Sequence, residues 1–311
     1  MGDISVIIVS WNAQRYLREC LASIRQTGGS TVHEILVVDN ASTDGSPEMV
    51  EKEFPEVDLI RSSTNLGFAG ANNVGIRKAT GSLLALINSD VILHPGCLQQ
   101  LAAVLKNDPR VGLAGPKVCG ADGNLQRTCR RLPTALNLLN RVLPLENILP
   151  NWPWFSGLRM WYAPQTRCSE VEVLSGCFWL ARRQAIDEVG CLDERFFFYA
   201  EDVDWSKRFG DGGWKLMYVP EATATHFGGG STKNAPLRYS IEILRSNLLY
   251  WKIHHGKFGL AAFYLVSLGQ HGLRLPVRCL ACLIGRADQD TRHKLQEHFV
   301  CLRWLLTGKT A

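Results

Sequence analysis

Ala85-Leu86-Ile87-Asn88-Ser89-Asp90 is an apolar run that stops at an amide, a hydroxyl and a carboxylate. A short apolar run bounded by a turn signal reads as a buried strand. In an open α/β sheet, ligands bind beyond the carboxyl ends of the strands. This stretch therefore predicts a strand that delivers Asn88, Ser89 and Asp90 to a ligand-facing edge.

Upstream the same pattern repeats. ISVIIVS (4–10) is β-branched and uninterrupted, and ends at Trp11-Asn12. EILVVD (34–39) ends in a carboxylate, Asp39, followed by the turn cluster NASTDGS (40–46). Apolar residues at helical spacing lie between the two runs, from Tyr16 to Ile24. A helix is expected from Pro47 to about Phe54, a short strand at 57–61, and then a glycine-rich loop, NLGFAGANN (65–73), entering a helix that ends near Gly81. Repeated strand–helix alternation predicts a parallel, doubly wound sheet. Three strand ends, at Ser10-Trp11-Asn12, Asp39-Asn40 and Asn88-Ser89-Asp90, would meet at one edge as a nucleotide site. No GxGxxG follows the first strand and no GxxxxGK[ST] occurs, which argues against the common dinucleotide and P-loop sites.

Downstream, a helix is expected at 95–105 and a strand at 112–117. A strand at 171–181 is interrupted by Gly176, and a lone glycine in a strand marks close approach of backbone or ligand. FFFYAEDVDW (196–205) sets acids directly after four aromatics. A carboxylate against apolar surface is a stronger base, while acids in a first helical turn also simply stabilise the helix. Short strands are expected at 216–219 and 222–225, followed by HFGGGSTK (226–233). There His226 ends a strand ahead of a glycine-rich loop; a lone histidine is more often structural than a ligand. The aromatic stretches NWPWF (151–155) and MWY (160–162) read as local packing of an insertion, with site cover or lipid contact as the alternative.

The chain has 311 residues, 46% of them hydrophobic and 20% charged, enough for a large core. Its ten cysteines show no framework spacing, and Met1-Gly2-Asp3 leads straight into a strand pattern, so a cytosolic chain with reduced thiols is expected. Cys279 and Cys282 form a single C-x-x-C, read as two thiols on an apolar helix rather than a zinc or redox pair. Charge is uneven. From Lys233 onward twelve Lys/Arg against four Asp/Glu give +8, whereas the whole chain is +5, leaving −3 for residues 1–232. The basic end fits either an anionic partner, such as a membrane surface, or a solvated helical surface. Beyond Pro236 the pattern is helical. The apolar run 258–268 is too short and too broken to span a bilayer, and could lie in its interface.

VIIVSWN (6–12), VVDNASTDGS (37–46), NLGFAGANNVGIRKATG (65–81), NSD (88–90), LSGCFWLARR (174–183), FFFYAEDVDW (196–205) and HFGGGSTK (226–233) occur in one order. With them the chain resembles the family 2 glycosyltransferases of the GT-A fold, in particular a rhamnosyltransferase-like branch. The resemblance implies a Rossmann-like, mostly parallel sheet flanked by helices. It implies a catalytic domain over 1–235, with a nucleotide-sugar half at 1–118 and an acceptor half at 119–235, and a basic helical region at 236–311. By the same resemblance Asp39 would bind the donor's pyrimidine, flanked by Ser10 and Asn12. Asn65 and Asn73 would lie beside ribose and diphosphate, with Asn88, Ser89 and Lys233 also on the donor. Asp90 and His226 would hold Mg2+ or Mn2+, with Asn88 replacing the first acid of the family's DxD. Asp202 would be the general base, and Gly176, Glu201 and Trp205 would face the acceptor. The implied reaction is inverting transfer from a dTDP-sugar such as dTDP-rhamnose, or from a UDP-sugar, to a glycan or lipid-linked acceptor in surface polysaccharide synthesis at the inner face of the cytoplasmic membrane. Asn88 keeps a non-catalytic nucleotide-sugar-binding subunit as the alternative.

Overall fold

The computed structural model describes residues 3–134, 138, 166–228, 236–285 and 288–309. The chain divides into two compact units, residues 1–132, 163–197 and 201–231 in one, and 133–162, 198–200 and 232–311 in the other.

The first unit is built on a ten-stranded mixed sheet. Strand β1 (Ile4–Ser10) pairs in parallel with β2 (Val32–Asp39) on one side and β4 (Leu83–Asn88) on the other, and β3 (Asp58–Arg61) extends the parallel set beyond β2. The side chains of β4 from Leu83 to Ile87 are all buried, as expected of a strand covered on both faces. Burying each Leu contributes about 1.5–3 kcal/mol. The intervening helices α1 (Gln14–Thr27), α2 (Ser46–Glu53) and α3 (Gly67–Lys78) follow the expected alternation. Helix α3 lies so close to β1 that a Cβ on Gly75 would come within 2.4 Å of the Ile7 side chain.

The next strand does not continue the parallel series. After Asn88 the chain turns through Ser89-Asp90 and enters the short β5 (Val91–Leu93) at the opposite end of the strand order. Helix α4 (Cys97–Asn107) follows, starting two residues later than expected, because Pro95-Gly96 forms a turn with Gly96 at φ 81°. Strand β6 (Val111–Cys119) carries the hairpin partner β7 (Leu125–Gln126). A small second sheet pairs β8 (Cys129–Arg130) with β10 (Val173–Leu174), and β9 (Ser169–Val171) pairs elsewhere. The single strand expected at 171–181 is thus three pieces, broken before β11 (Phe178–Arg182) by a turn at Gly176-Cys177. β11 is antiparallel to both β4 and β6.

Helix α5 (Arg183–Val189) and then α6 (Glu201–Asp211) lead to β12 (Lys215–His226). The two strands expected at 216–219 and 222–225 are this one strand. Its pairing to β6 slips between Val219 and Thr223, where Pro220 cannot donate to a ladder. The strand order is β3-β2-β1-β4-β11-β6-β12-β5.

The second unit holds helix α7 (Pro236–Leu283), broken at Gly256 where φ is 64° and ψ −158°, and helix α8 (Gln289–Thr307). Asp288 caps α8 by accepting from the Thr291 N–H at 2.8 Å. The hydroxyl of Tyr264 donates to the Leu305 carbonyl at 2.8 Å, and His271 meets His298 with 3.0 Å between their Nδ1 atoms.

Candidate active site

Three groups of side chains collect at the carboxyl edge of the parallel strands. In the first, Ser10 and Asp39 are register partners at the ends of β1 and β2. Both are buried, yet among the described residues Ser10 Oγ and Asp39 Oδ1 have no hydrogen-bond partner. Asp39 Oδ2 accepts from the Ser42 N–H at 3.2 Å. Buried polar atoms are almost always paired, because leaving one bare costs about 1–3 kcal/mol. Two orphans side by side at a strand edge are what a ligand's donor and acceptor groups would complete. The chain leaves both strands through left-handed residues, Asn12 (φ 47°) and Ala41 (φ 64°). Asn12 spends its side-chain carbonyl on the Thr43 N–H at 2.8 Å, and its own N–H donates to Ser42 Oγ at 3.0 Å, so it shapes the 40–46 turn.

Asn40 ties this edge to the glycine-rich loop. Its amide nitrogen donates to Asn65 Oδ1 (3.0 Å) and to the Gly67 carbonyl (3.1 Å), and its Oδ1 accepts from the Leu66 N–H at 2.7 Å. Asn65 Oδ1 also accepts from the Gly67 N–H at 2.9 Å. Gly67 needs to be glycine: φ is 74°, and a Cβ would meet the Phe197 carbonyl oxygen at 2.4 Å. Asn73 is employed differently from the expectation. It is buried, donates to the Leu192 carbonyl (2.8 Å) and Glu194 (3.0 Å), and accepts from the Leu192 N–H (3.1 Å). Its amide braces the 192–194 turn.

The second group joins residues far apart in sequence. Val91 of β5 is the register partner of His226 at the end of β12, and the Phe227 N–H donates to the Asp90 carbonyl at 3.0 Å. This places His226 Nε2 3.2 Å from Asp90 Oδ1. Gln126 fixes the ring: its amide nitrogen donates to the His226 carbonyl at 2.8 Å, which turns its oxygen to His226 Nδ1, also at 2.8 Å. Nδ1 then carries the proton, and in the neutral ring Nε2 offers a lone pair toward a carboxylate oxygen. Two electron-rich atoms at that distance accommodate a cation between them, and a ligating histidine held through its other nitrogen is the usual arrangement at metal sites. Among the described residues no third His, Cys, Asp or Glu completes a cluster. The pair fits a hard divalent ion whose remaining ligands are substrate oxygens and water. Asn88, half-buried, takes part in the fold through its backbone, donating to the Cys177 carbonyl at 3.0 Å.

The third group is the start of α6. The helix begins at Glu201 and is entered through two left-handed residues, Tyr199 (φ 70°) and Ala200 (φ 64°). Asp202 is paired with the Arg130 guanidinium and accepts from the Val203 N–H at 2.8 Å. Arg130 stands opposite Val173 in the small sheet, so the fold rather than a sequence motif brings it to Asp202. Beside them Glu201 is buried, its Oε2 without a hydrogen-bond partner among the described residues. Burial, reinforced by the neighbouring charge of Asp202, pushes its carboxyl up to about 8. Cys177 is enclosed as well: burial raises its thiol to about 11, and the charges of both Asp90 and Asp202 act in the same direction, which sets the second and third groups around one thiol.

One acceptor-side expectation turns out differently. Trp205 is fully buried, its indole N–H donating to the Gly190 carbonyl at 3.0 Å and its ring packed 5.1 Å from Trp179 and 5.0 Å from Phe209. A side chain with no accessible surface cannot meet an acceptor; Trp205 is core. Gly176 lies in a turn where a Cβ would press on Trp179 at 3.2 Å and Phe68 at 3.5 Å, so its smallness serves packing. Lys233 and the aromatic stretches 151–155 and 160–162 lie outside the described residues.

A mixed, mostly parallel sheet with acids at its strand ends and a helical extension defines a GT-A architecture. The sequence profile of "Glycosyl transferase family 2" matches residues 5–190, and the chain belongs to that family. It is 30% identical over 288 residues to an N-acetylglucosaminyl-diphospho-decaprenol L-rhamnosyltransferase of Mycobacterium tuberculosis, covering 88% of this chain and 92% of the relative. Among solved structures it resembles a mannosyltransferase of Pyrobaculum calidifontis in complex with GDP-Man and Mn2+ (16% identity, TM-score 0.57, covering 99% of this chain and 88% of that one). It also resembles GalNAc-T7 with UDP, GalNAc and Mn2+ (17% identity, TM-score 0.59, 98% of this chain and 56% of that one).

Proposed function

We propose that this glycosyltransferase moves a sugar, rhamnose by preference, from a pyrimidine nucleoside diphosphate to a lipid-linked or glycan acceptor with inversion at the anomeric carbon. The observation that carries the donor reading is the orphan pair Ser10 Oγ and Asp39 Oδ1 at adjacent strand ends. A carboxylate oxygen there can accept the N3–H of thymine or uracil, so dTDP-rhamnose and UDP-sugars both fit. In this reading residues 1–118 hold the nucleotide and residues 119–235 present the acceptor.

Asp90 and His226 would hold Mg2+ or Mn2+, which when bound neutralises charge on the departing diphosphate. Asp202 accepts the proton of the acceptor hydroxyl as its oxygen bonds to the anomeric carbon, and the nucleoside diphosphate leaves with the electron pair of the broken bond. A positioned base of this kind contributes about 10²–10⁴ in rate. Asp202 is held by Arg130 in the free protein, so an arriving hydroxyl must share or displace that contact. The kinship with an enzyme named for a diphospho-decaprenol acceptor supports a lipid-linked substrate and, with it, a peripheral membrane contact through the basic C-terminal region in surface polysaccharide synthesis.

A thermal-shift panel of nucleotide sugars with and without Mn2+ tests the reading, because a ligand raises apparent stability by mass action. The expected result is stabilisation by dTDP- or UDP-sugars that grows with the metal. Preferential stabilisation by a guanosine nucleotide sugar would overturn the Asp39 assignment.

A further inference from the structure

The segment 243–287 contains six Lys/Arg and not one Asp or Glu in 45 residues. Within it, Phe258, Leu265, Leu273, Val277, Leu280 and Ile284 of the α7–turn segment are each 55–91% exposed. At about 100° per residue these positions fall within roughly 120° of the helix circumference. Every other position in that arc between 258 and 284 is Leu, Val, Ala, Gly or Pro, so no polar side chain interrupts it. The stripe runs about 39 Å at about 1.5 Å per residue. On the opposite side of the helix, His271 is buried against His298, and Phe263 and Ser267 are buried too. The exposed stripe is therefore the helix's second apolar face, left over after α8 has covered the first. Lys257 lies roughly 80° outside one edge, and the segment's other five cations add positive charge with no acid to offset it.

We infer that this face of α7 is a membrane-docking surface that lies flat in the interface of an anionic bilayer, its apolar stripe among the acyl chains and its flanking cations at the headgroups. Two alternatives fit less well. A second copy of this chain would set one acid-free, cationic surface against another. A transmembrane placement is excluded for the described helices, none of which is long and apolar enough to cross a membrane. A long apolar arc with cations at its margins and no acid is the pattern of an interfacial helix. The inference deepens the peripheral-contact part of the function proposed above, naming the surface and its lipid chemistry, and its test does not depend on transfer.

The full-length protein is floated with phosphatidylcholine vesicles containing 30% phosphatidylglycerol, and with vesicles of phosphatidylcholine alone. Leu273→Glu/Leu280→Glu is compared with Lys52→Glu, which changes the charge equally from an exposed position on α2. Leu273→Ser/Leu280→Ser removes the apolar surface without charge, and circular dichroism confirms that each variant is folded. The expected result is at least tenfold weaker partitioning for both double variants, a change of less than twofold for Lys52→Glu, and weaker binding of the unaltered chain to the uncharged vesicles. Flotation of the folded double variants equal to that of the unaltered protein would overturn the inference. So would an equal loss in Lys52→Glu, which would make the contact one of net charge, or a shift from dimer to monomer in the double variants with flotation unchanged. Donor hydrolysis by the same samples separates the two proposals: flotation can fail while hydrolysis persists, and hydrolysis can fail while flotation persists.

Discussion

Asp39 and Asp202 are almost equally buried, at 4% and 8% exposure, and they are provided for in opposite ways. Asp39 keeps one oxygen bare beside a second orphan, Ser10 Oγ. Asp202 is already clamped by Arg130 and by the Val203 N–H. In the proposed reading, the difference separates a site that a nucleotide would complete from a base that a partner must first release. The β1–β2 edge would carry its unmet hydrogen bonds as a standing cost that binding removes. Asp202 carries none, so proton transfer to it would require an exchange of partners.

This contrast makes the two carboxylates separable by kinetics. Asp202→Asn keeps size and can still face Arg130, so donor affinity should hold within about threefold while kcat falls by about 10²–10⁴, the range of a lost general base. Turnover close to that of the unaltered enzyme would break the contrast by removing Asp202 from the reaction. Asp39→Asn should do the reverse. Losing a charge-assisted hydrogen bond worth about 1.5–3 kcal/mol weakens nucleotide binding by about 10- to 100-fold, read by calorimetry, while kcat at saturating donor changes little. A fall in kcat alone would mean that Asp39 is not a binding group.

The legible part of this molecule follows from continuity. β1, β2 and β4 each end in an apolar run that stops at polar residues, the pattern of a buried parallel strand. Ser10, Asp39 and Asp90 could therefore be placed at one edge before any pairing was known. Glu201, Asp202 and Asp204 were legible as acids that suit a first helical turn, where the helix dipole favours negative charge. What escaped depends on register between distant segments. Gln126 and Arg130 sit in two-residue strands too short to show a period, and nothing local announces that they meet His226 and Asp202. The turn that sends Ser89-Asp90 into β5 beside β12 is likewise invisible without the pairing of Val91 with His226. Trp205, which the resemblance alone set on the acceptor side, fills the space between Trp179 and Phe209, a packing that no local pattern announces.

Glu201 gives the smallest effect and sharpens the comparison from the side of stability. It is the neighbour that Arg130 does not clamp, and burial, with the charge of Asp202, pushes its carboxyl from the ordinary 4.5 up to about 8. Between those values the folded chain holds a proton that the unfolded chain has released, so stability falls as pH rises through this window and levels off above about 8. Glu201→Gln has no proton to lose. Its melting temperature should therefore gain on that of the unaltered protein from pH 5 to pH 8, by several degrees for a shift of this kind in a chain of this size. Below pH 4.5 the gap should stop changing with pH. A constant gap across the whole range would show that Glu201 ionises in the fold as readily as in water, and that the carboxylate beside Arg130 has a second, charged neighbour.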